Sequence, residues 1–83
     1  MKKYLVDVYL PTIDMHMNAF IPNTKEIGEV TGLLARAAES LSGSSYLATC
    51  DTLLFCADDG VAYERSITVE EAGIRNASRL MLI

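Results

Sequence analysis

The clearest helical pattern in this sequence lies in its middle third. At about 100° per residue, the apolar side chains of this segment fall within one stripe. Asn23 is a suitable N-cap, Glu26 can complete a capping box with it, and Gly43 with its neighbouring serines ends the pattern. The sequence therefore predicts one amphipathic helix over about residues 24–42. Its apolar stripe is Ile27, Val30, Leu34, Ala37, Ala38 and Leu41.

The segments on both sides of this helix have the patterns of β-strands. Before the helix, two stretches alternate apolar and polar residues, and turn residues from Pro11 to Asp14 separate them. We expect these stretches to pair as a hairpin. After the helix, Asp58, Asp59 and Gly60 predict a tight turn between two further strands. The predicted strands are residues 3–10, 15–21, 52–57, 61–63 and 80–83.

A second capping box precedes the last strand. Thr68 and Glu71 have the required spacing, and Gly73 suits a left-handed C-cap, so we expect a short helical turn at 68–73. The order of elements is typical of an α+β fold, in which one helix covers one face of a sheet. We expect the 83 residues to form a single domain, residues 1–83. The sheet face without a helix is where we expect the functional surface.

Charge and composition exclude several classes of function. The formal net charge is −4 and the seven basic residues are scattered, which disfavours a nucleic-acid partner. No apolar run approaches the roughly 18 residues of a membrane span, and the N-terminal residues lack the pattern of a signal peptide. We therefore expect a cytoplasmic protein without a membrane span. In that compartment Cys50 and Cys56 should be reduced thiols.

The residues that usually carry catalysis do not form a recognisable set. His16 is the only histidine, so neither a His-rich metal site nor a Ser-His-Asp triad can be assembled. The acidic pairs at 58–59 and 70–71 lie in a turn and at a helix start, where carboxylates have structural roles. We expect no enzyme activity, no cofactor and no metal.

In the C-terminal third, the stretch from Thr68 to Leu82 begins Thr-Val-Glu-Glu-Ala-Gly-Ile. This stretch is similar, at equal spacing, to the final turn and strand of the ubiquitin family. The run Leu53-Leu54-Phe55 resembles its third strand, and the pair Ile21-Pro22 before the helix is also similar. As a pattern, the resemblance covers nearly the whole chain. It implies a ubiquitin-like β-grasp fold, with a mixed four- to five-stranded sheet and one helix packed on one face.

Within that superfamily, the chain is most similar to the YukD/EsaB group of short bacterial proteins associated with type VII secretion. The points of similarity are the length, the helix directly after Ile21-Pro22, the Gly73-Ile74 pair and the apolar end. This resemblance implies a cytoplasmic accessory role in protein export. It also implies that the partners are proteins, including components of the secretion machinery.

The last residues bear on an alternative function. Ubiquitin and the sulfur carriers ThiS and MoaD end in a flexible Gly-Gly tail whose carboxylate is activated. Here the sequence ends at Ile83, inside the predicted last strand. We therefore expect a non-conjugated protein. A C-terminally activated carrier remains the alternative if the native chain is longer.

The open sheet face is the predicted binding surface. Strand alternation predicts that Leu53, Leu80 and Leu82 point inward. The same alternation predicts that the contact residues, given below, point outward. The resemblance implies that they correspond to the hydrophobic patch of ubiquitin. Scattered apolar surface residues without a role are the competing interpretation. The predicted contact residues are Leu5, Tyr9, Leu54, Met81 and Ile83.

Two glycines within the helix form a second predicted contact. Gly28 and Gly32 lie one turn apart beside Ala35, on the face that we expect to point away from the core. Each lowers helix stability by roughly 1 kcal/mol relative to alanine, so close approach of a partner helix is one explanation. Tolerated surface glycines are the other explanation. A homodimer, joined through the apolar sheet face or by strand addition at an exposed edge, is a further hypothesis.

Overall fold

In the part of the chain that the structure describes, the alternating and helical segments of the sequence form four strands and one helix. The computed structural model describes residues 2–49 and 52–83. Its elements are β1 (Lys3–Leu10), β2 (Met15–Pro22), α1 (Ile27–Leu41), β3 (Leu54–Cys56) and β4 (Arg79–Leu82).

The four strands form one mixed sheet in the order β2-β1-β4-β3. The hairpin strands β1 and β2 are antiparallel over their full length, from Lys3 opposite Pro22 to Leu10 opposite Met15. In contrast, β1 and β4 are parallel, with Val8 opposite Leu80. Strand β3 then pairs antiparallel with β4. The parallel pair brings the first and last strands of the chain together at the centre of the sheet.

The core lies between α1 and one face of this sheet. The side chains of alternate residues on β1 and β4 are fully buried there, and α1 covers them with every third or fourth residue. These strand residues are Val6, Val8, Leu10, Leu80 and Leu82. The buried helix residues are Ile27, Val30, Thr31, Leu34, Ala35 and Ala38. The inward directions predicted for Leu80 and Leu82 are correct.

The buried stripe of α1 differs at its edges from the predicted one. Thr31 and Ala35 are buried, whereas Ala37 and Leu41 are exposed. The Thr31 hydroxyl donates to the Ile27 carbonyl at 2.7 Å, so this polar side chain has a hydrogen-bond partner inside the core. Leu41 is the last residue of the helix, three positions beyond the last buried residue, Ala38. The stripe therefore runs along the helix at i, i+3, i+4 and i+7 but ends before the helix does.

The start of α1 was predicted wrongly. Its N-cap is Glu26, which makes no capping hydrogen bond with its side chain. Instead, the N–H groups of Ile27 and Gly28 donate to the carbonyls of Ile67 and Arg65 at 2.8 and 3.0 Å. A segment distant in sequence thus accepts the first hydrogen bonds of the helix. For this reason the helix begins at Ile27 and not near residue 24.

Asn23 does not cap α1 as predicted but makes other hydrogen bonds. Its side chain is buried, its Oδ1 accepts from the Lys2 backbone N–H at 3.1 Å, and its Nδ2 donates to Glu70 at 3.4 Å. Its carbonyl accepts from the Glu70 N–H at 3.1 Å. Asn23 therefore links the start of the chain to the turn at residues 68–73.

The second capping box forms as predicted. The Thr68 N–H donates to the Glu71 carboxylate at 2.9 Å, and the Glu71 N–H donates to the Thr68 hydroxyl at 3.1 Å. The Ala72 N–H then donates to the Thr68 carbonyl, which closes one helical turn. Gly73 follows with φ +83°, a conformation that disfavours other residues. The short fifth strand predicted at 61–63 is reduced to a single bridge between Phe55 and Ala62.

Candidate interaction surface on the open face of the sheet

The sheet face opposite α1 carries a cluster of apolar side chains centred on Met81. The strand register places Tyr9 of β1 on one side of Met81 and Phe55 of β3 on the other. Leu53 and Ile83 continue the cluster, and their backbones exchange two hydrogen bonds of 2.9 and 3.0 Å. All of them point away from the core because their neighbours along the strands point into it. We call Tyr9, Leu53, Phe55, Met81 and Ile83 the Met81 patch.

Leu54 does not belong to this surface, contrary to the prediction. Its side chain is 2% exposed and lies in the core, whereas Leu53 is 40% exposed and faces outward. Leu54 pairs with the inward-facing Leu82, and Phe55 pairs with Met81, so β3 is shifted by one residue from the predicted phase. The run Leu53-Leu54-Phe55 is apolar throughout, and an unbroken apolar run does not reveal which residue points inward.

A polar belt separates the Met81 patch from a second apolar area on the same face. The belt contains Asp7, opposite Asn18 on β2 and Arg79 on β4, and Arg79 forms an ion pair with Asp58. Both members of that ion pair are well exposed, so it adds little to stability. The belt divides the open face into two apolar surfaces of different composition.

The second apolar area is a shallow groove next to Phe20. Leu5 lies directly opposite Phe20 on the hairpin, and Phe20 is 67% exposed. The turn at Asn76 and Ala77 forms the other side of the groove, which has a volume of about 700 Å³. That turn is held by the Leu5 N–H, which donates to Asn76 Oδ1 at 2.9 Å, and by the Ala77 N–H, which donates to the Leu5 carbonyl at 2.8 Å. The predicted contact residue Leu5 therefore lies in this groove and not in the Met81 patch.

At the edge of the Met81 patch, Tyr9 has a fixed orientation. Its ring stacks on His16 with centroids 4.5 Å apart, and its hydroxyl donates to the Asp14 carboxylate at 2.9 Å. This hydrogen bond to an anion raises the pKa of Tyr9 above its usual value. The imidazole Nδ1 of His16 lies 3.6 Å from the Asp7 carboxylate. Tyr9 thus presents a defined ring surface to solvent.

The structure separates the two glycines that were predicted as a helix contact. The N–H of Gly28 bonds to the Arg65 carbonyl, and a Cβ built on Gly28 would lie 3.3 Å from that oxygen. Gly28 therefore faces a segment of its own chain and is not available to a partner helix. Gly32 has open space where a Cβ would be, and the neighbouring Ala35 is buried. The prediction that Gly28, Gly32 and Ala35 share an outward face is wrong.

Other reactive groups are few in residues 2–49 and 52–83. No group of three or more histidine, cysteine or acidic residues there could hold a metal ion. Cys56 is a free, partly buried thiol, and the prediction for Cys50 lies outside the described residues. Burial raises the pKa of Tyr63 strongly, and a hydrogen bond with Cys56 adds to the shift. None of the helices in these described ranges combines the length and the hydropathy that a membrane-spanning segment needs.

Comparison with solved structures decides the fold. The sequence matches no protein-family model and no curated protein. The ubiquitin-like domain of EccD5 from Mycobacterium xenopi superposes with a TM-score of 0.74 at 14% identity, over 100% of this chain and 94% of that one. The fold is ubiquitin-like. The expected α+β β-grasp architecture, with a four-stranded mixed sheet and one helix packed on it, is confirmed.

Two further structures show how widely this ubiquitin-like fold is used. A chain of the ESX-5 inner membrane complex matches with a TM-score of 0.83 at 15% identity, over 100% of the present chain but only 21% of its own length. A chain of a toluene 4-monooxygenase complex matches with a TM-score of 0.78 at 10% identity, over 98% and 96% of the two chains. At such identities the likeness shows the fold alone, so function must be argued from the surface.

Sequence reasoning missed two aromatic residues of the open face. Phe55 takes the outward position beside Met81 that was predicted for Leu54, and Phe20 lines the groove. The signal for Phe20 was present, because strict alternation in β2 puts it opposite the core residues Met17 and Ile21. No such signal existed for Phe55, because the residues on both sides of it are also apolar.

Proposed function

We propose that this protein is a non-catalytic, cytoplasmic adaptor that binds a protein component of an ESX-type (type VII) secretion system through the Met81 patch. We further propose that it is a relative of the YukD/EsaB proteins, with which the sequence shares its length and its Gly73-Ile74 turn. The observation that carries the proposal is the apolar patch on the sheet face that α1 leaves uncovered.

The composition of the patch supports a protein partner. It combines two aromatic rings, a methionine and two aliphatic side chains, and Tyr, Phe and Met are enriched at protein interfaces. Leu53 and Ile83 are 40% and 51% exposed, so they retain apolar area that a partner can cover. The polar belt at Asp7 and Arg79 adjoins the patch, as the rim of an interface commonly does.

The secretion assignment draws on the structural neighbours. One neighbour is the EccD5 ubiquitin-like domain, and another is a chain of the ESX-5 inner membrane complex. A ubiquitin-like module of the same shape therefore occurs in a secretion assembly. The resemblance to YukD/EsaB points to the same type of system.

Binding to purified components of that system tests the proposal. The export ATPase and inner-membrane components of the ESX-type system from the producing organism serve as probes, and calorimetry measures their affinity. We expect one of them to bind the wild type, and Met81→Asp to weaken binding by about 2 kcal/mol or more, because a buried, unpaired charge replaces a central apolar contact.

Leu47→Asp is the matched control, since Leu47 is an exposed loop leucine outside the patch and the charge change is the same. Far-UV circular dichroism must show that both variants are folded. Equal weakening by Met81→Asp and Leu47→Asp would refute the role of the patch. Absence of binding to every component would refute the secretion assignment.

A further inference from the structure

The two edges of the sheet differ in how they are covered. Beyond β3, the segment at 61–63 accepts and donates backbone hydrogen bonds: the Cys56 N–H bonds to the Val61 carbonyl, and the Tyr63 N–H bonds to the Leu54 carbonyl, both at 2.9 Å. Beyond β2, none of the described residues 2–49 and 52–83 makes such a bond. At eight residues, β2 is also much longer than the three-residue β3. Strand β2 is therefore the open edge of the sheet.

The register identifies which backbone groups of β2 are unpaired. The Asp7 N–H bonds to Ser78 and the Leu5 carbonyl accepts from Ala77, so these β1 residues turn their backbone groups towards β4. Their neighbours along β1 must then turn towards β2, because backbone direction alternates along a strand. The β2 residues opposite Leu5, Asp7 and Tyr9 consequently point their N–H and C=O groups out of the sheet. These residues are Phe20, Asn18 and His16.

Strand β2 lacks the features that usually protect an open edge. From Met15 to Pro22 it contains no Lys, Arg, Asp or Glu, and its only proline is the final residue. Its pairing with β1 runs without a bulge over all eight residues. Natural edge strands are normally shortened, charged, bulged or interrupted by proline to prevent pairing with another chain. Because β2 has none of these protective features, its edge is suited to pairing with a strand of another chain.

We propose that β2 pairs antiparallel with β2 of a second copy of this chain, with Asn18 opposite Asn18 on the two-fold axis. In this register His16 of each copy lies opposite Phe20 of the other. Pro22, opposite Lys3, also points its C=O group outwards but has no N–H to donate. Phe20, Asn18 and His16 can exchange both groups in this register, which makes six hydrogen bonds between the chains. A two-residue shift in one direction puts His16 opposite Pro22, which has no N–H to donate, and a shift in the other direction puts Phe20 opposite Asp14, which lies outside β2.

The side chains and charges of this register are compatible with a second copy. On the open face, the imidazole of His16 lies beside the exposed ring of Phe20, and the two Asn18 amides face each other. On the helix face, Met17 lies opposite Ala19 of the other chain. No like charges meet along β2, although each chain carries a net charge of −4. At both ends Asp14 of one copy lies two strands from Lys3 of the other, so opposite charges approach.

The dimer would have one continuous eight-stranded sheet. The two-fold axis that relates the two β2 strands is perpendicular to the plane of the sheet, so the helix faces of both copies lie on the same side of the sheet. Both α1 helices would therefore lie on one side and both Met81 patches on the other. Two copies of the binding surface, held in fixed relation, can engage two linked sites and gain affinity from their high effective concentration.

Engineered cysteines test the register directly. In a background with Cys50→Ser and Cys56→Ser, Asn18→Cys puts two thiols in a hydrogen-bonded antiparallel pair, whose Cα atoms lie about 5.5 Å apart, a distance that a disulfide spans. We expect mild oxidation to convert this variant to a covalent dimer. Thr12→Cys, in the exposed β1–β2 turn, is the matched control and should stay monomeric.

A mixture of two variants tests the proposed pairing further. His16→Cys mixed with Phe20→Cys should form a mixed disulfide faster than either variant forms a disulfide with itself. The register is overturned if Asn18→Cys forms the covalent dimer no faster than Thr12→Cys does. It is also overturned if His16→Cys and Phe20→Cys form a mixed disulfide no faster than each forms a disulfide with itself.

Sedimentation equilibrium tests the dimer without any cysteine. The average mass of the wild type should rise towards twice the monomer mass as the concentration increases from micromolar to millimolar. Asn18→Lys places two like charges opposite each other and should remain monomeric, whereas Thr12→Lys, with the same charge change, should dimerise as the wild type does. A wild type that stays monomeric at all concentrations overturns the proposal. None of these experiments needs a secretion partner, so a negative result here leaves the adaptor proposal untouched.

Discussion

Leu53 and Leu54 have the same side chain and opposite environments. Leu54 lies in the core opposite Leu82, whereas Leu53 lies on the open face beside Ile83. Two adjacent residues of an extended segment must point to opposite faces, so only one of the pair can be a core residue. The contribution of each leucine to stability therefore depends on position alone.

Truncation of each leucine measures this difference. Leu54→Ala should lower the free energy of unfolding by about 2–5 kcal/mol, because it leaves a cavity in a closed core. Leu53→Ala should lower it by about 1 kcal/mol or less, since the side chain is already partly in water. Urea unfolding of the two variants gives both values. Equal losses would show that the strand phase described here is wrong.

Gly28 and Gly32 likewise differ only in what surrounds them. Gly32→Ala should stabilise the protein by about 0.5–1 kcal/mol, because alanine favours the helix and its methyl group meets open space. Gly28→Ala should stabilise less or destabilise, because its methyl group would press on the Arg65 carbonyl at 3.3 Å. Thermal unfolding of the two variants compares them. An equal gain at both positions would mean that the 65–67 segment can move away from α1 freely.

At the level of elements, the N-terminal ends of the two helical segments are capped in two different ways. The turn at 68–73 is capped locally, by reciprocal bonds between Thr68 and Glu71. Helix α1 is capped by carbonyls of Arg65 and Ile67, more than thirty residues away in sequence. The first type of cap forms within one turn of chain, whereas the second exists only when the turn segment has docked against the helix.

The local cap should make stability depend on pH in a defined window. Hydrogen bonds from Thr68 hold the pKa of Glu71 below its ordinary value of 4.5. A carboxyl whose pKa is lower in the folded state stabilises the protein above the unfolded-state pKa, and this contribution is lost as pH falls through the folded-state pKa. Stability should therefore fall as the solution is acidified below about pH 4.5.

Glu71→Gln isolates this contribution, because glutamine keeps the geometry of the cap but does not titrate. The wild type should exceed the variant in unfolding free energy at about pH 6.5, and the difference should shrink as the pH is lowered from about 4.5 through the folded-state pKa of Glu71. Other carboxylates titrate equally in both proteins and cancel. A difference that stays constant over this pH range would contradict the role of Glu71.

At the level of the whole molecule, the parallel pairing of β1 with β4 connects the two ends of the chain. Because β4 lies between β1 and β3, the hairpin and the C-terminal segment share one sheet, and α1 covers residues from both. No part of this core can be removed without exposing the rest. A domain of this size with one core is expected to unfold in a single step.

Unfolding should accordingly give one transition for all probes. Far-UV circular dichroism reports on α1, and near-UV circular dichroism reports on tyrosines such as the buried Tyr46. Both should share one urea midpoint in the wild type. In Val30→Ala, which enlarges the space under the helix, both midpoints should move down together. A higher urea midpoint for the far-UV signal than for the near-UV signal would show that the helix and the tyrosine environment unfold independently.

Local patterns predicted most of the fold and the places of Tyr9, Met81 and Ile83 in the Met81 patch, but not those of Leu53 and Phe55. The strand alternation of β1 and β2, the helical period of α1 and the capping box at Thr68 could be read directly, because each depends on neighbours within one or two turns of chain. The resemblance to ubiquitin supplied the arrangement of these elements. The outward positions of Leu5, Tyr9, Met81 and Ile83 follow from alternation, although their role in binding remains a prediction.

The sequence alone determined which segments form the main strands and which forms the helix, because side-chain period and turn chemistry act over short distances. Only the tertiary structure decided which leucine of the Leu53-Leu54 pair is buried, why Asn23 does not cap α1, and why Gly28 faces Arg65. It alone also shows that β3 has a covered edge and β2 an open one. Each of these features depends on a contact between residues far apart in the chain, and no local pattern encodes which distant backbone will arrive there.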